Sequence, residues 1–89
     1  MKDKIVDMID EVLPEIQLKE KTSEDSNIYA SIARQLEFLK NCYENGLDYR
    51  VELNGKTLNF GIVASRNFAG PEEELEEKIS KINSYIIHN

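Results

Sequence analysis

Eighty-nine residues suffice for one domain, since domains commonly run to about 100–150 residues, and exclude a second independent core. Apolar residues at 40% and charged residues at 31%, with four Gly and two Pro, describe a folded, helix-leaning chain and exclude global disorder. Seventeen acidic against eleven basic side chains leave a net charge of −6, which repels phosphate backbones and anionic lipid, so neither nucleic acid nor membrane is an expected partner.

The chain begins MKDKIVDMIDEV, where acids interrupt the apolar residues too often for the continuous apolar run of a signal peptide. Ile5, Ile9, Val12, Leu13 and Ile16 recur at helical spacing and predict a first helix over about residues 3–18. Pro14 lies inside it and removes the bond its N–H would have given to Asp10, so a kink or early end is expected there. The stretch KEKTSEDSN has no apolar residue between Leu18 and Ile28 and reads as an exposed loop rich in turn and capping residues.

A second helix should start with Ser26 or Asn27 as its cap. Tyr29, Ile32, Leu36, Leu39 and Tyr43 then form a heptad-like seam, and Gly46 is the expected left-handed C-cap. The last helix opens at Gly70-Pro71, with Glu72 to Glu74 at the positive end of its dipole and Leu75, Ile79, Ile82 and Ile86 along its apolar stripe.

Between these helices two readings compete. YRVEL and KTLNF flank Asn54-Gly55, the strongest short hairpin signal, and predict a ribbon over about 49–60. With a helical period, Leu58, Gly61, Ile62, Ser65 and Phe68 instead share one face of a short helix capped by Thr57. The fold is then all-α, a small antiparallel bundle of three long helices plus one short one in a single domain over 1–89, against an α+β alternative with the hairpin. An isolated hairpin is marginal without further strands, so the helical reading needs fewer special conditions.

The chemical signals point away from catalysis. His88, the only histidine, sits second from the end, where chains fray. Cys42 is the only cysteine, so no internal disulfide is possible and a reducing cytoplasm suits the chain. It has no neighbouring His or Cys-x-x-Cys and reads as a packed thiol. Asp3, Asp7, Asp10 and Glu11 lie at the spacing of a solvated helix face and not of a calcium loop, so neither metal nor cofactor is expected. Gly61 has no second glycine at phosphate-loop spacing, and close packing of two backbones explains it better. Tyr29, Tyr43, Tyr49 and Tyr85 read as core rims or interface anchors.

At SIARQLEFLK (31–40) and LNFGIVASRNF (58–68) the chain resembles the small immunity proteins that neutralise NAD(P)+ glycohydrolase effectors of bacterial type VI secretion. The shared pattern is Gln35-Leu36 within a helix, then Leu58, Phe60, Gly61, Val63, Ala64, Arg66 and Phe68, and then Glu74-Leu75. The resemblance implies a helical Gly61 block and a non-enzymatic cytoplasmic protein that binds a cognate toxin domain and blocks its active site. An NAD(P)+-handling pocket presents cationic or donor groups to a pyrophosphate, and carboxylates can answer them. The expected toxin-binding residues are therefore Asp7, Asp10 and Glu11 on the first helix, Glu24 and Asp25 in the loop after it, and Tyr29 beside them, with Asp10 and Asp25 exposed. Arg66, Glu73, Glu76 and Glu77 form the second choice, since acids in a first helical turn are already explained by the dipole. The competing class is a self-associating regulatory or adaptor module, a weak homodimer anchored by Tyr29 and Tyr43.

Overall fold

A computed structural model describes residues 4–24, 26–68 and 72–88. Its helices are α1 (Lys4–Thr22), α2 (Ser26–Glu44), α3 (Tyr49–Glu52), α4 (Phe60–Asn67) and α5 (Glu73–His88). No strand occurs among the described residues, so the all-α reading holds and the hairpin alternative falls. No helix among them is long and apolar enough to cross a membrane.

The long helices α1, α2 and α5 supply most of the core. Ile5, Ile9 and Ile16 of α1 meet Ile32, Leu36 and Leu39 of α2 and Ile79 and Ile82 of α5, all wholly buried. Polar contacts along the flanks fix the directions. Asp10 pairs with Lys40 and Gln17 donates to Glu37, so α1 and α2 run antiparallel. Glu11 faces Lys78 and Lys19 pairs with Glu72, so α5 is antiparallel to α1 as well.

The helix boundaries depart from the sequence reading in informative ways. α1 neither ends at Pro14 nor at residue 18 but continues to Thr22. Pro14 is exposed, so its ring stands on the solvent side of α1 and the apolar stripe carries the helix past it. The next residues, KEKT, are helical rather than loop because Lys and Glu are good helix formers. The lysines also lie at the negative end of the dipole, and Lys19 is held by Glu72 at 2.6 Å. α2 starts with Ser26 already helical, which moves the capping position to residue 25, outside the described residues. Gly46 closes α2 as expected, at φ 69°, with the Leu47 N–H donating back to the Cys42 carbonyl at 2.8 Å in the manner of a Schellman cap. Gly70 and Pro71 lie outside the described residues, and α5 is helical from Glu73 with Glu73, Glu74 and Glu76 in its first turn.

The connector between α2 and α4 holds the largest difference. The Lys56 N–H donates to the Leu53 carbonyl at 3.1 Å around Asn54 (φ 51°) and Gly55 (φ 89°), the pair of positive φ values that a two-residue hairpin turn uses. The turn forms, but strands do not flank it. Asp48 accepts from the Arg50 N–H at 2.9 Å and caps the single turn of α3, while Tyr49 and Leu58 pack on the helical core. Partial burial of these two side chains on the helical core outweighs a lone two-stranded ribbon.

α4 starts at Phe60, three residues beyond Thr57, which is exposed and caps nothing in this helix. Its buried side is Phe60 and Ala64, continued by Phe68, while Ile62 and Ser65 of the expected face point to solvent. Phe68 is buried as expected, and burying Phe60 removes more apolar area than burying Ile62, so the helix is rotated toward Phe60. Gly61 sits at the crossing of α4 and α5 as expected, though what it approaches is a side chain and not a second backbone. A Cβ there would lie 2.9 Å from both Cγ and Nδ2 of Asn83 on α5.

Candidate binding surface

The acidic residues singled out from the sequence are dispersed along α1. Asp7 is exposed near its start, and Glu24 is exposed in the turn beyond its end. The fifteen helical steps from Asp7 to Thr22 alone span about 22 Å. Asp10 is half-buried rather than exposed, its Oδ1 2.7 Å from Lys40 Nζ, so α2 already neutralises much of its charge. Glu11 is exposed and leans toward Lys78 of α5 at 3.7 Å. Asp25 lies outside the described residues. Tyr29 departs furthest from expectation. Its ring is buried, 7% exposed, and stacks on Phe68 with centroids 5.0 Å apart. It is a core residue joining α2 to the end of α4, which removes it from the acidic patch and as an anchor for self-association. Of the second-choice residues, Arg66, Glu73 and Glu77 are exposed and Glu76 is half-buried.

A different surface forms at the end of the bundle where α2 and α5 finish. The Tyr43 and Tyr49 rings lie 6.3 Å apart at 27°, and the Tyr49 hydroxyl donates to the Ile86 carbonyl at 3.2 Å. The Arg50 guanidinium sits 5.5 Å from the centre of the Tyr49 ring and its Nε–H reaches the Tyr49 oxygen at 3.4 Å, an interaction that holds Arg50 firmly in its charged form. A hollow of about 190 Å³ opens between Tyr43, Leu47, Asp48, Tyr49 and Arg50. A second, of about 270 Å³ and also lined by Tyr49, lies against Leu53, Leu58, Ile86 and Ile87. Leu47, Val51 and Ile87 of this region are large, apolar and exposed. The sequence carried a usable signal, two tyrosines and an arginine among aliphatic residues in a stretch of nearly balanced charge, but the hairpin pattern around Asn54-Gly55 masked it.

Gln35 supports this connector from a distance. Its Oε1 accepts from the backbone N–H groups of Asn59 (2.8 Å) and Phe60 (2.9 Å), and its Nε2 donates to Asn59 Oδ1 at 2.7 Å. A side chain of α2 thus does for α4 what an N-cap residue ordinarily does, since Asn59 makes no side-chain cap bond.

Cys42 is buried, and its thiol pKa is pushed up by burial first and by the Glu52 and Asp48 carboxylates second, the reverse of an activated nucleophile. Among the described residues no group of three or more His, Cys, Asp or Glu could hold a metal ion. A rigid helical frame that offers open aromatic and apolar hollows is suited to gripping another protein.

Comparison with known families agrees and sharpens the class to the immunity proteins of type VI secretion, which neutralise a cognate toxin. The chain belongs to the Tsi6 family, whose pattern matches residues 4–89. No match was found among curated proteins or solved structures.

Proposed function

We propose that this chain acts in the cytoplasm as the antidote to a toxin with NAD(P)+ glycohydrolase activity, binding the toxin domain and covering its active site. The observation that carries the reading is the family match across residues 4–89. The likeness of the Gln35-Leu36 and Leu58–Phe68 blocks to immunity proteins of that effector class supplies the finer part. Such an inhibitor acts by binding and needs no cofactor or catalytic residue of its own. It needs a surface that keeps its shape, and the packed α1–α2–α5 frame supplies one. The net charge of −6 speeds encounter with a cationic substrate cleft. Asp7, Glu11 and Glu24 are the exposed carboxylates best placed to steer it, with Asp10 and Asp25 in support and Arg66, Glu73, Glu76 and Glu77 as the next surface.

The direct test is co-expression with the toxin domain encoded by the neighbouring gene, following growth and cellular NAD(P)+ together. Restored growth with a preserved dinucleotide pool is the expected result. Restored growth against a toxin that leaves the pool untouched would retain the antidote and discard the NAD(P)+ chemistry. Absence of any complex would discard both.

A further inference from the structure

The exposed carboxylates account for encounter but not for a long-lived grip, because lasting affinity resides in a small, desolvated centre enriched in Tyr and Arg and poor in Lys and Glu. The α1 ridge is the opposite of such a centre. Resting on the antidote reading, we infer that the toxin domain is anchored by the Tyr43–Tyr49–Arg50 end of the bundle, through a toxin surface that offers an aliphatic or aromatic side chain flanked by a carboxylate.

The chemistry of the partner follows from what this end presents. Lys19, Lys40 and Lys78 are each spent in ion pairs within the fold. Among the described residues no such pair engages Arg50, which is held by a hydroxyl and a ring. Among the described residues neither of its terminal nitrogens enters a hydrogen bond or ion pair, and a planar, bidentate acceptor such as a carboxylate fits them. Beside it the two hollows share Tyr49 as a common wall, and Val51, 70% exposed, projects from α3 as an apolar contact. The site is also set before binding. Tyr49 is fixed by Tyr43 on one side and by the Ile86 carbonyl at its tip, so little side-chain freedom is lost when a partner arrives.

Charge separates the toxin from a second copy of this chain as the occupant. Self-docking would set two bodies of −6 against each other, with the carboxylate of Asp48 lining the same hollow on both. A toxin domain with a cationic substrate cleft and a carboxylate at its rim meets attraction at both places.

The test uses the full chain and a catalytically inactivated form of the toxin domain from the neighbouring gene, with association and dissociation rates measured separately at low and physiological salt. Val51→Glu and Arg50→Glu, both at exposed positions, should each weaken binding by about 30-fold or more, the size of an interface hot spot, chiefly through faster dissociation and with an unchanged melting temperature. Asp7→Lys combined with Glu11→Lys should instead slow association at low salt and leave dissociation nearly unaltered. Wild-type dissociation rates in both Val51→Glu and Arg50→Glu would overturn the inference while leaving the antidote reading in place. So would a wild-type dimer in sizing chromatography that Val51→Glu converts to monomer, since the face would then be occupied by a second copy. Failure of the wild-type chain to bind the toxin at all would overturn the antidote reading and this inference with it.

Discussion

Along α1 and α2 an aliphatic side chain comes inward at every third or fourth position, and Ile5, Ile9, Ile16, Ile32, Leu36 and Leu39 are all wholly buried. From Leu47 to Asn59 no residue is fully buried, and only Tyr49, Leu53 and Leu58 reach even partial cover. The long helices hold their place through area removed from water. The connector is held by partial packing and a few hydrogen bonds: the Arg50 N–H donates to Asp48, the Tyr49 hydroxyl to the Ile86 carbonyl, and the Asn59 and Phe60 N–H groups to Gln35. Stability and display are thus divided between the two regions, and substitutions should sort accordingly.

The sharpest contrast is between burial and exposure. Leu36→Ala or Ile79→Ala should each cost about 2–5 kcal/mol in urea denaturation, as cavity-forming changes in a packed core do, whereas Val51→Ala in the connector should leave the midpoint unmoved within about 0.5 kcal/mol. If Val51→Ala cost as much as Leu36→Ala, the division would collapse. Next in size is the crossing at Gly61. Gly61→Leu should lose about 1–3 kcal/mol by overfilling the contact with Asn83, and Asn83→Ala in the same chain should recover part of that loss. Additive effects would show that the close approach is relaxed in solution. Gln35→Leu should cost about 1 kcal/mol, the worth of a lost helix cap. Its signature is local, with the amides of Asn59 and Phe60 exchanging faster while those of α1 keep their protection.

The smallest effect is a loss of stability on the alkaline side. Burial raises the Cys42 thiol above its ordinary 9.0. The unfolded chain therefore sheds that proton first, and stability declines once pH passes the ordinary thiol value. Lys40 is raised above 10.5 by its bond to Asp10. Its contribution is present below that value and is lost as pH rises through the higher folded-state one. Cys42→Ala should abolish the first step and Lys40→Gln the second, both read from denaturation midpoints taken across the alkaline range. A midpoint curve indifferent to both substitutions would contradict these environments.

What was legible in the sequence follows the same division. The stripes of α1, α2 and α5 could be read because burial on one face imposes a 3.6-residue period. Gly46 and Asn54-Gly55 could be read because positive φ selects for those residues. The rotation of α4 was not legible, since two competing apolar faces exist in LNFGIVASRNF and the choice depends on what Phe60 and Phe68 meet in α2 and α5. Tyr29 was misjudged for the same reason: its stacking partner Phe68 lies far along the chain. Asp10 looked like any solvated acid until the antiparallel register put Lys40 beside it. Gln35 stood out within a recognisable block, yet a polar residue reaching a helix start 24 positions away has no local signature.

That long reach of Gln35 bears on how such a chain could change its partner. The bond closes the segment from α2 to α4 at its far end, while the Leu47 N–H to Cys42 carbonyl bond closes it at the near end. The exposed Asn54-Gly55 turn lies between the two. Doubling the length of a flexible loop adds only about 0.6 kcal/mol of closure entropy, so residues inserted at this turn would alter the silhouette offered to a toxin while both ends stayed pinned. New specificities could then arise by lengthening or shortening one turn, with the helical frame inherited intact.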